Sequence, residues 1–356
     1  MGERLSHSQP AARMKLLILG GTRFLGRHIA EQAQARGHEL TLMHRGRSGA
    51  GLLAQAQHLI ADRDGDLSVL RQGHWDAVID TSAYLPRQVR SVGEALAGRV
   101  GHYQLVSSIS VYADPGQPGT TEDAALKTLT DPATESIAGQ TYGGLKALCE
   151  LAAQAAFGHA CLINRPGLLV GPHDPTGRFD WWVQRVLRGG TLLAPGDPRA
   201  PVQFIDARDA AAWMLRQSES GTAGVFNLSG PHQPLDFGTL LQTAIDTLQP
   251  LAQLQWVDED FLLAKGVAPW TELPLWLPRA QSNLHAIDIT RALATGLQCR
   301  PLMQTLRDTA AGLATASTST PGTAEGPPRP AVGLSAQSEA ALLAGWKDAL
   351  SQPAPG

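Results

Sequence analysis

The sequence predicts an α/β fold built on a doubly wound parallel sheet. Three observations predict it. Short apolar runs alternate with helical stretches from residue 15 to about residue 165; the first of these runs stops at a glycine-rich turn; and a tyrosine and a lysine stand four residues apart on a late helical stretch.

The elements follow in order. Residues 15–19 (KLLIL) read as a buried strand that ends at Gly20, and 20–26 (GGTRFLG) as a turn. Residues 27–36 carry a helical pattern closed by Gly37 in a plausible C′ position. Residues 39–43, 57–61 and 76–80 (DAVID) predict the second, third and fourth strands. Residues 86–97 open on Pro86, which suits a first helical turn. A fifth strand is expected over 102–107, a long alanine-rich helix over 141–157 and a sixth strand over 160–164.

After Pro166 the alternation stops, and glycine, proline and tryptophan become frequent. The expected organisation is a disordered extension over 1–13 and a Rossmann-type domain over 14–165, with later strands able to complete its sheet. A smaller mixed α/β C-terminal substrate lobe mainly over 166–310 follows. Residues 314–334, rich in Ser, Thr, Pro, Ala and Gly, predict a flexible linker. A last helix over 337–350 is expected to dock through Leu342, Leu343 and Trp346.

Composition narrows the class. With 29 basic and 32 acidic side chains the formal charge is −3, so no basic excess marks a nucleic-acid binder. No apolar run approaches the roughly 18 residues of a membrane span, and the N-terminus has no apolar signal segment. Three cysteines without CxxC pairing fit a reducing, cytoplasmic setting.

Strand, glycine-rich turn, helix is the context in which a pyrophosphate binds. The first turn of a helix offers unpaired N–H groups and the positive end of its dipole, and glycine lets the ligand approach the backbone. Gly20, Gly21, Thr22, Arg23, Phe24, Leu25 and Gly26 are therefore the candidate cofactor-binding residues, with Gly20 in the turn and Gly26 permitting close helix–strand packing. Arg23 stands where a glycine is usual. The end of the second strand reads His44-Arg45-Gly46-Arg47, with no carboxylate for a ribose 2′-hydroxyl. Arg45 and its neighbour suit a 2′-phosphate, so NADP(H) is favoured over NAD(H); a solvated basic loop is the plainer reading. Asp62 is placed to accept from an adenine amino group, or is a loop aspartate.

Tyr142 and Lys146 share a helix face. An ordinary tyrosine titrates near about 10, and an adjacent ammonium favours its phenolate, which makes the pair an acid/base for a substrate hydroxyl or carbonyl. VSSISVY (106–112) closes the fifth strand at its carboxyl end, where open α/β sheets place ligands, and sets Ser108 there.

GGTRFLG, SSISVY, YGGLK (142–146) and Arg165-Pro166-Gly167, in this order, resemble the extended and atypical short-chain dehydrogenase/reductase superfamily, of the NAD-dependent epimerase/dehydratase type. The resemblance runs from about residue 15 to about 215, and more weakly to about 310. It implies that Tyr142 is the general acid/base, that Lys146 holds the nicotinamide ribose and tunes Tyr142, and that Ser108 orients the reacting oxygen. The GGTRF form also looks like a branch that includes chloroplast stem-loop RNA-binding proteins and many bacterial reductase-like proteins. The family's asparagine-rich segment after the fourth strand is here Asp80-Thr81-Ser82-Ala83-Tyr84, which makes Thr81 a candidate cofactor contact and Tyr84 a candidate substrate contact. The Asp-Glu pair of related dehydratases is replaced by Ile109 and Ser110, which disfavours elimination of water.

The expected function is an NAD(P)-dependent oxidoreductase or epimerase working on a carbonyl or hydroxyl of a small polar substrate, nucleotide sugars among the candidates. Arg178 is a candidate for a substrate phosphate or carboxylate, and Trp181 and Trp182 are either ring platforms or lobe core. No His/Cys spacing supports a metal. Homodimerisation through the helices around the YxxxK segment is expected. The alternative is a non-catalytic cofactor-sensing or RNA-binding protein on the same scaffold.

Overall fold

The computed structural model of the chain describes residues 12–49, 51–114, 118–318 and 332–351. In chain order the elements are β1 (Lys15–Leu19), α1 (Phe24–Ala35), β2 (Glu39–His44), β3 (Gln57–Ile60), β4 (Trp75–Asp80), α2 (Pro86–Ala95), β5 (Val100–Val106), α3 (Gly139–Phe157) and β6 (Cys161–Pro166). There follow β7 (Leu168–Val170), α4 (Arg178–Leu187), β8 (Thr191–Pro195), β9 (Pro201–Val202), β10 (Phe204–Asp206), α5 (Ala207–Ser220), β11 (Gly224–Leu228) and β12 (Leu235–Asp236). The chain continues with α6 (Phe237–Leu248), β13 (Gln253–Val257), α7 (Glu259–Ala264), α8 (Thr290–Ala294), α9 (Leu302–Thr318) and α10 (Ala336–Ser351).

The described residues form two compact units. The first holds residues up to 107, 129–164 and 211–225. Seven strands run in the order β11-β6-β5-β4-β1-β2-β3. The pairings from β3 through β6 are all parallel, as Rossmann topology requires. β1 lies between β2 and β4, where the strand order reverses, with Leu19 opposite Met43 on one side and Asp80 on the other. Leu16 to Leu19 are wholly buried, which is why this strand is apolar on both faces instead of alternating. Val89 and Val92 of α2 pack with Cys149 and Ala153 of α3 and with Leu17, Val78 and Leu105 of the sheet. Tyr103 stacks on Phe157, ring centroids 3.9 Å apart.

The second unit holds 108–128, 165–210 and the chain from 226 onward. Its core gathers Phe179 and Trp182 of α4, Phe237, Leu240 and Leu241 of α6, and Trp276. Small two-stranded pairings join β7 to β10, β8 to β13 and β9 to β12. α10 packs Leu342, Leu343 and Trp346 on this core. It is also pinned by a buried charge: Glu339 accepts from Arg185 Nε at 2.6 and 2.7 Å and from the Leu193 N–H at 3.0 Å.

Three expectations change. The first unit is discontinuous and takes 211–225 from beyond residue 165, so no single cut separates the two units. α9 continues to Thr318, so the expected linker begins inside a helix, and its residues 319–331 lie outside those described. α1 begins at Phe24, so the last residues of the glycine turn already form its first turn. The extension over 1–13 also lies outside the described residues, apart from Ala12 and Arg13. Among the described residues no helix is long and apolar enough to cross a membrane.

Candidate active site

The glycine turn sits at the carboxyl end of β1. Gly20 has φ +91°, and a Cβ there would stand 2.7 Å from Thr81 Oγ. Gly21 faces Leu42, and a Cβ on Gly26 would lie 2.3 Å from the Gly20 carbonyl oxygen. The start of α1 thus lies close against the turn. The Thr81 hydroxyl donates to the carbonyls of Leu19 (2.9 Å) and Gly20 (3.3 Å), which braces the turn from β4. Thr22 is buried and shares a 2.9 Å hydrogen bond with Ser48.

Arg23, the exposed N-cap of α1, has an extended backbone (φ −136°), and among the described residues no side chain caps this helix and no acid stands in its first turn. The first N–H groups are therefore left for an anion. Phe24 takes φ +39°, a left-handed backbone that costs a bulky residue roughly 1–3 kcal/mol. Leu25 is buried beneath the turn. These features fit a dinucleotide pyrophosphate.

Just past β2, Arg45 is exposed. Asp62, also exposed, accepts from the backbone N–H of Asp64 at 3.1 Å. Its neighbour Arg63, which sequence reasoning passed over, turns inward. Its two terminal nitrogens each donate at 2.8 Å to an oxygen of Asp80, which also accepts from the Tyr103 hydroxyl at 2.9 Å. The guanidinium beside Asp80 holds that carboxyl below the usual carboxylate range even though burial pushes the other way. Arg63 also donates to Ser82 Oγ at 2.9 Å, so the pair organises the segment that carries Thr81, Ser82 and Ala83.

That segment meets α3. Lys146 is 3% exposed, and its Nζ donates to the carbonyls of Ala83 (2.7 Å) and Val106 (2.5 Å). An ammonium has three N–H donors, and among the described residues two are used. Burial lowers the Lys146 pKa from its ordinary value. One turn earlier Tyr142 is half-buried, its ring 6.4 Å from that of Tyr84. Lys146 Nζ is 5.7 Å from the centroid of the same Tyr84 ring. Tyr84 is 45% exposed, and its N–H donates to the side chain of Gln88. Tyr142, Lys146 and Tyr84 therefore come together as one group. Behind them Ser107 donates at 2.5 Å to the buried Glu150, another residue the sequence did not single out.

Ser108 opens the second unit. It caps the short turn Ile109–Val111, accepting from the Ser110 N–H at 3.1 Å and donating to its hydroxyl. It follows by two residues the Val106 carbonyl that holds Lys146. Elsewhere in that unit Arg178 lies over the Trp270 ring, 5.4 Å from its centroid. Trp182 is core: it is 2% exposed and donates to the Pro274 carbonyl. Trp181 packs beside it on the same core. Trp182 is thus no open ring platform. Asp206 and Asp209 are engaged by Arg208, Arg300 and Thr305 in a structural role.

A model of the epimerase class, described as the NAD dependent epimerase/dehydratase family, matches residues 16–229, more than half of the chain. The chain belongs to the NAD dependent epimerase/dehydratase family. This family match spans the glycine turn, the Tyr142–Lys146 helix and Ser108 alike. Among solved structures the fold is shared with a putative epimerase from Burkholderia cenocepacia J2315 (TM-score 0.65, 20% identity, 86% of this chain and 100% of that one). It is also shared with UDP-glucuronic acid 4-epimerase from Bacillus cereus in complex with NAD (TM-score 0.63, 16% identity, 87% and 99%). A curated relative, the chloroplast stem-loop binding protein of 41 kDa b from Arabidopsis thaliana, is 26% identical over 239 residues, 62% of this chain. That aligned stretch is only 60% of the relative's own length.

Proposed function

We propose that this family member is an NAD(P)-dependent epimerase or reductase that acts on a carbonyl or hydroxyl of a small polar substrate of the nucleotide-sugar class. The observation that carries the reading is the Lys146 ammonium: buried, fixed by two backbone carbonyls, and set one helical turn after Tyr142 with a donor remaining among the described contacts. A buried cation is costly to maintain, and two backbone carbonyls offset part of that cost here.

The uncapped start of α1 and the cradle of Gly20, Gly21 and Gly26 would hold the diphosphate of the cofactor. The bound nicotinamide supplies or accepts the hydride. The chain's residues do the rest. Tyr142 Oη moves the proton of the reacting oxygen, Lys146 holds a ribose hydroxyl and keeps positive charge beside the phenol, and Ser108 orients the reacting oxygen. Ile109 and Ser110 leave no acid–base pair after the strand end, so simple hydride exchange is favoured over loss of water. Arg45 and Arg47 favour NADP(H) over NAD(H) through charge-assisted bonds to a 2′-phosphate. Tyr84 and Arg178 serve as substrate contacts, and Asp62 and Thr81 lie at the cofactor's edge.

A thermal-shift comparison of NADH, NADPH and UDP-glucose tests this, because a ligand that binds only the native state raises its melting temperature. The expected result is a larger rise with NADPH than with NADH and a further rise with the nucleotide sugar. No shift with either dinucleotide would reject it.

The curated relative favours a second reading, a nucleic-acid stem-loop binder on this scaffold. Salt-dependent binding of an RNA stem-loop, with no turnover on any nucleotide sugar, would put that reading first.

A further inference from the structure

The end of β2 carries a pair of imidazoles that the cofactor reading leaves unused. His44 Nε2 and His58 Nδ1 are 2.8 Å apart, their rings nearly perpendicular at 85°. Leu42 is opposite His58 and His44 opposite Ile60, so the two histidines are diagonal neighbours on one face of the β2–β3 ladder. The outer nitrogens are also occupied. His44 Nδ1 accepts from the Gly46 N–H at 3.1 Å, and His58 Nε2 faces the Leu53 carbonyl at a long 3.4 Å.

These partners set the tautomers. An amide N–H pointing at His44 Nδ1 makes that atom an acceptor, so His44 Nε2 carries the hydrogen and donates to His58 Nδ1. His58 Nε2 then carries its own hydrogen toward Leu53. The result is a one-way relay, Gly46 N–H to His44 to His58 to Leu53 C=O. It ties together two backbone sites with positive φ, Gly46 at +72° and Leu53 at +52°. Gly46 is the residue between Arg45 and Arg47. The far end of the same loop is fastened to the glycine turn by the Ser48–Thr22 bond. The basic loop after β2 is therefore held at both ends, once by the phosphate turn and once by the histidine pair.

We infer that His44 and His58 are positioning residues for the loop at 45–48, which meets the adenosine ribose, and that they set the preference between NADPH and NADH by fixing where Arg45 and Arg47 stand. This rests on the cofactor reading above. A guanidinium gains its full charge-assisted bonds to a 2′-phosphate only when its backbone is already placed, whereas a 2′-hydroxyl demands less of it. Burial and the neighbouring His58 lower the His44 pKa.

The test measures Kd for NADPH and for NADH by calorimetry at pH 8 on the full chain. His58→Leu removes the acceptor for His44. The expected outcome is a fall of about tenfold in the NADPH-to-NADH preference, the size of one charge-assisted bond weakened, with NADH affinity held within about twofold as evidence that the protein folds. His58→Asn places an amide oxygen near the position of Nδ1 and should restore the preference. If His58→Leu does not fold, His44→Asn keeps an acceptor for Gly46 but cuts the link to His58, and the same fall is expected. A preference unchanged in the folded variant overturns the inference. Arg45→Ala with Arg47→Ala is the separate arm: no change of preference there rejects the arginine reading itself. A wild-type protein that binds neither dinucleotide rejects both.

Discussion

Arg63 grips Asp80 with two parallel hydrogen bonds of 2.8 Å, and Asp80 is completely closed to solvent. The pair does more than neutralise a buried charge. Asp80 is the last residue of β4, and the residues after it brace the glycine turn through Thr81 and receive Lys146 through Ala83. One ion pair thus stands behind both halves of the candidate site in the first unit.

Removing one partner leaves the other buried without compensation. Arg63→Met should destabilise the protein by about 3–5 kcal/mol, read as a lower midpoint in urea unfolding, while Arg63→Met with Asp80→Leu should recover much of the loss. A single variant as stable as wild type would contradict this.

Gly26→Ala sets a methyl 2.3 Å from the Gly20 carbonyl, which is backbone and cannot give way without moving the turn. Dinucleotide affinity should fall by about tenfold or more. Gly37→Ala is the control: its φ of +81° makes the change cost about 1–2 kcal/mol of stability, but the added methyl meets nothing within 4 Å, so affinity should hold. Calorimetric titration with NADPH separates the two.

Asp180 supplies a pH prediction. Burial, and then the charge of Asp174, raise its pKa from 3.8 to about 7, and its Oδ1 is buried without a hydrogen-bond partner among the described residues. The folded state therefore binds more protons than the unfolded one between these two values, so this group's contribution falls as pH rises from 4 toward 7 and the full penalty is present above that. Asp180→Asn should have a higher melting temperature than wild type at pH 8, by roughly 2–4 °C, with the advantage shrinking as pH is lowered to 4. An advantage that grows on acidification would contradict the assignment.

Glu339→Ala leaves the buried Arg185 guanidinium without its carboxylate and removes one of the attachments of α10 to the second unit's core. A loss of about 3 kcal/mol is expected in denaturant unfolding, along with faster proteolysis of the C-terminal helix.

The parts of this molecule that sequence makes legible are those with a period or a fixed local spacing. β1, α2 and α3 follow from apolar runs and a helix-opening proline, and the glycine turn follows from its place between β1 and α1. Tyr142 and Lys146 announce themselves by four-residue spacing. Arg63, Glu150 and Glu339 do not, because each is a charged residue whose burial is decided by a partner far along the chain: Asp80, Ser107 and Arg185. The histidine pair is missed for the same reason, since only the β2–β3 register brings positions 44 and 58 together. The discontinuous unit boundary is another long-range effect. α5 from residue 211 and the start of β11 join the first unit although the segments before and after them belong to the second.

In the proposed reaction the Tyr142 phenol moves the proton during hydride exchange at a dinucleotide held by the glycine turn. The direct measurement is steady-state turnover of a nucleotide sugar by Tyr142→Phe, with NADPH affinity measured on the same sample. Turnover is expected to fall by about a hundredfold or more, with affinity within about twofold of wild type. Undiminished turnover in a variant that still binds NADPH would contradict it.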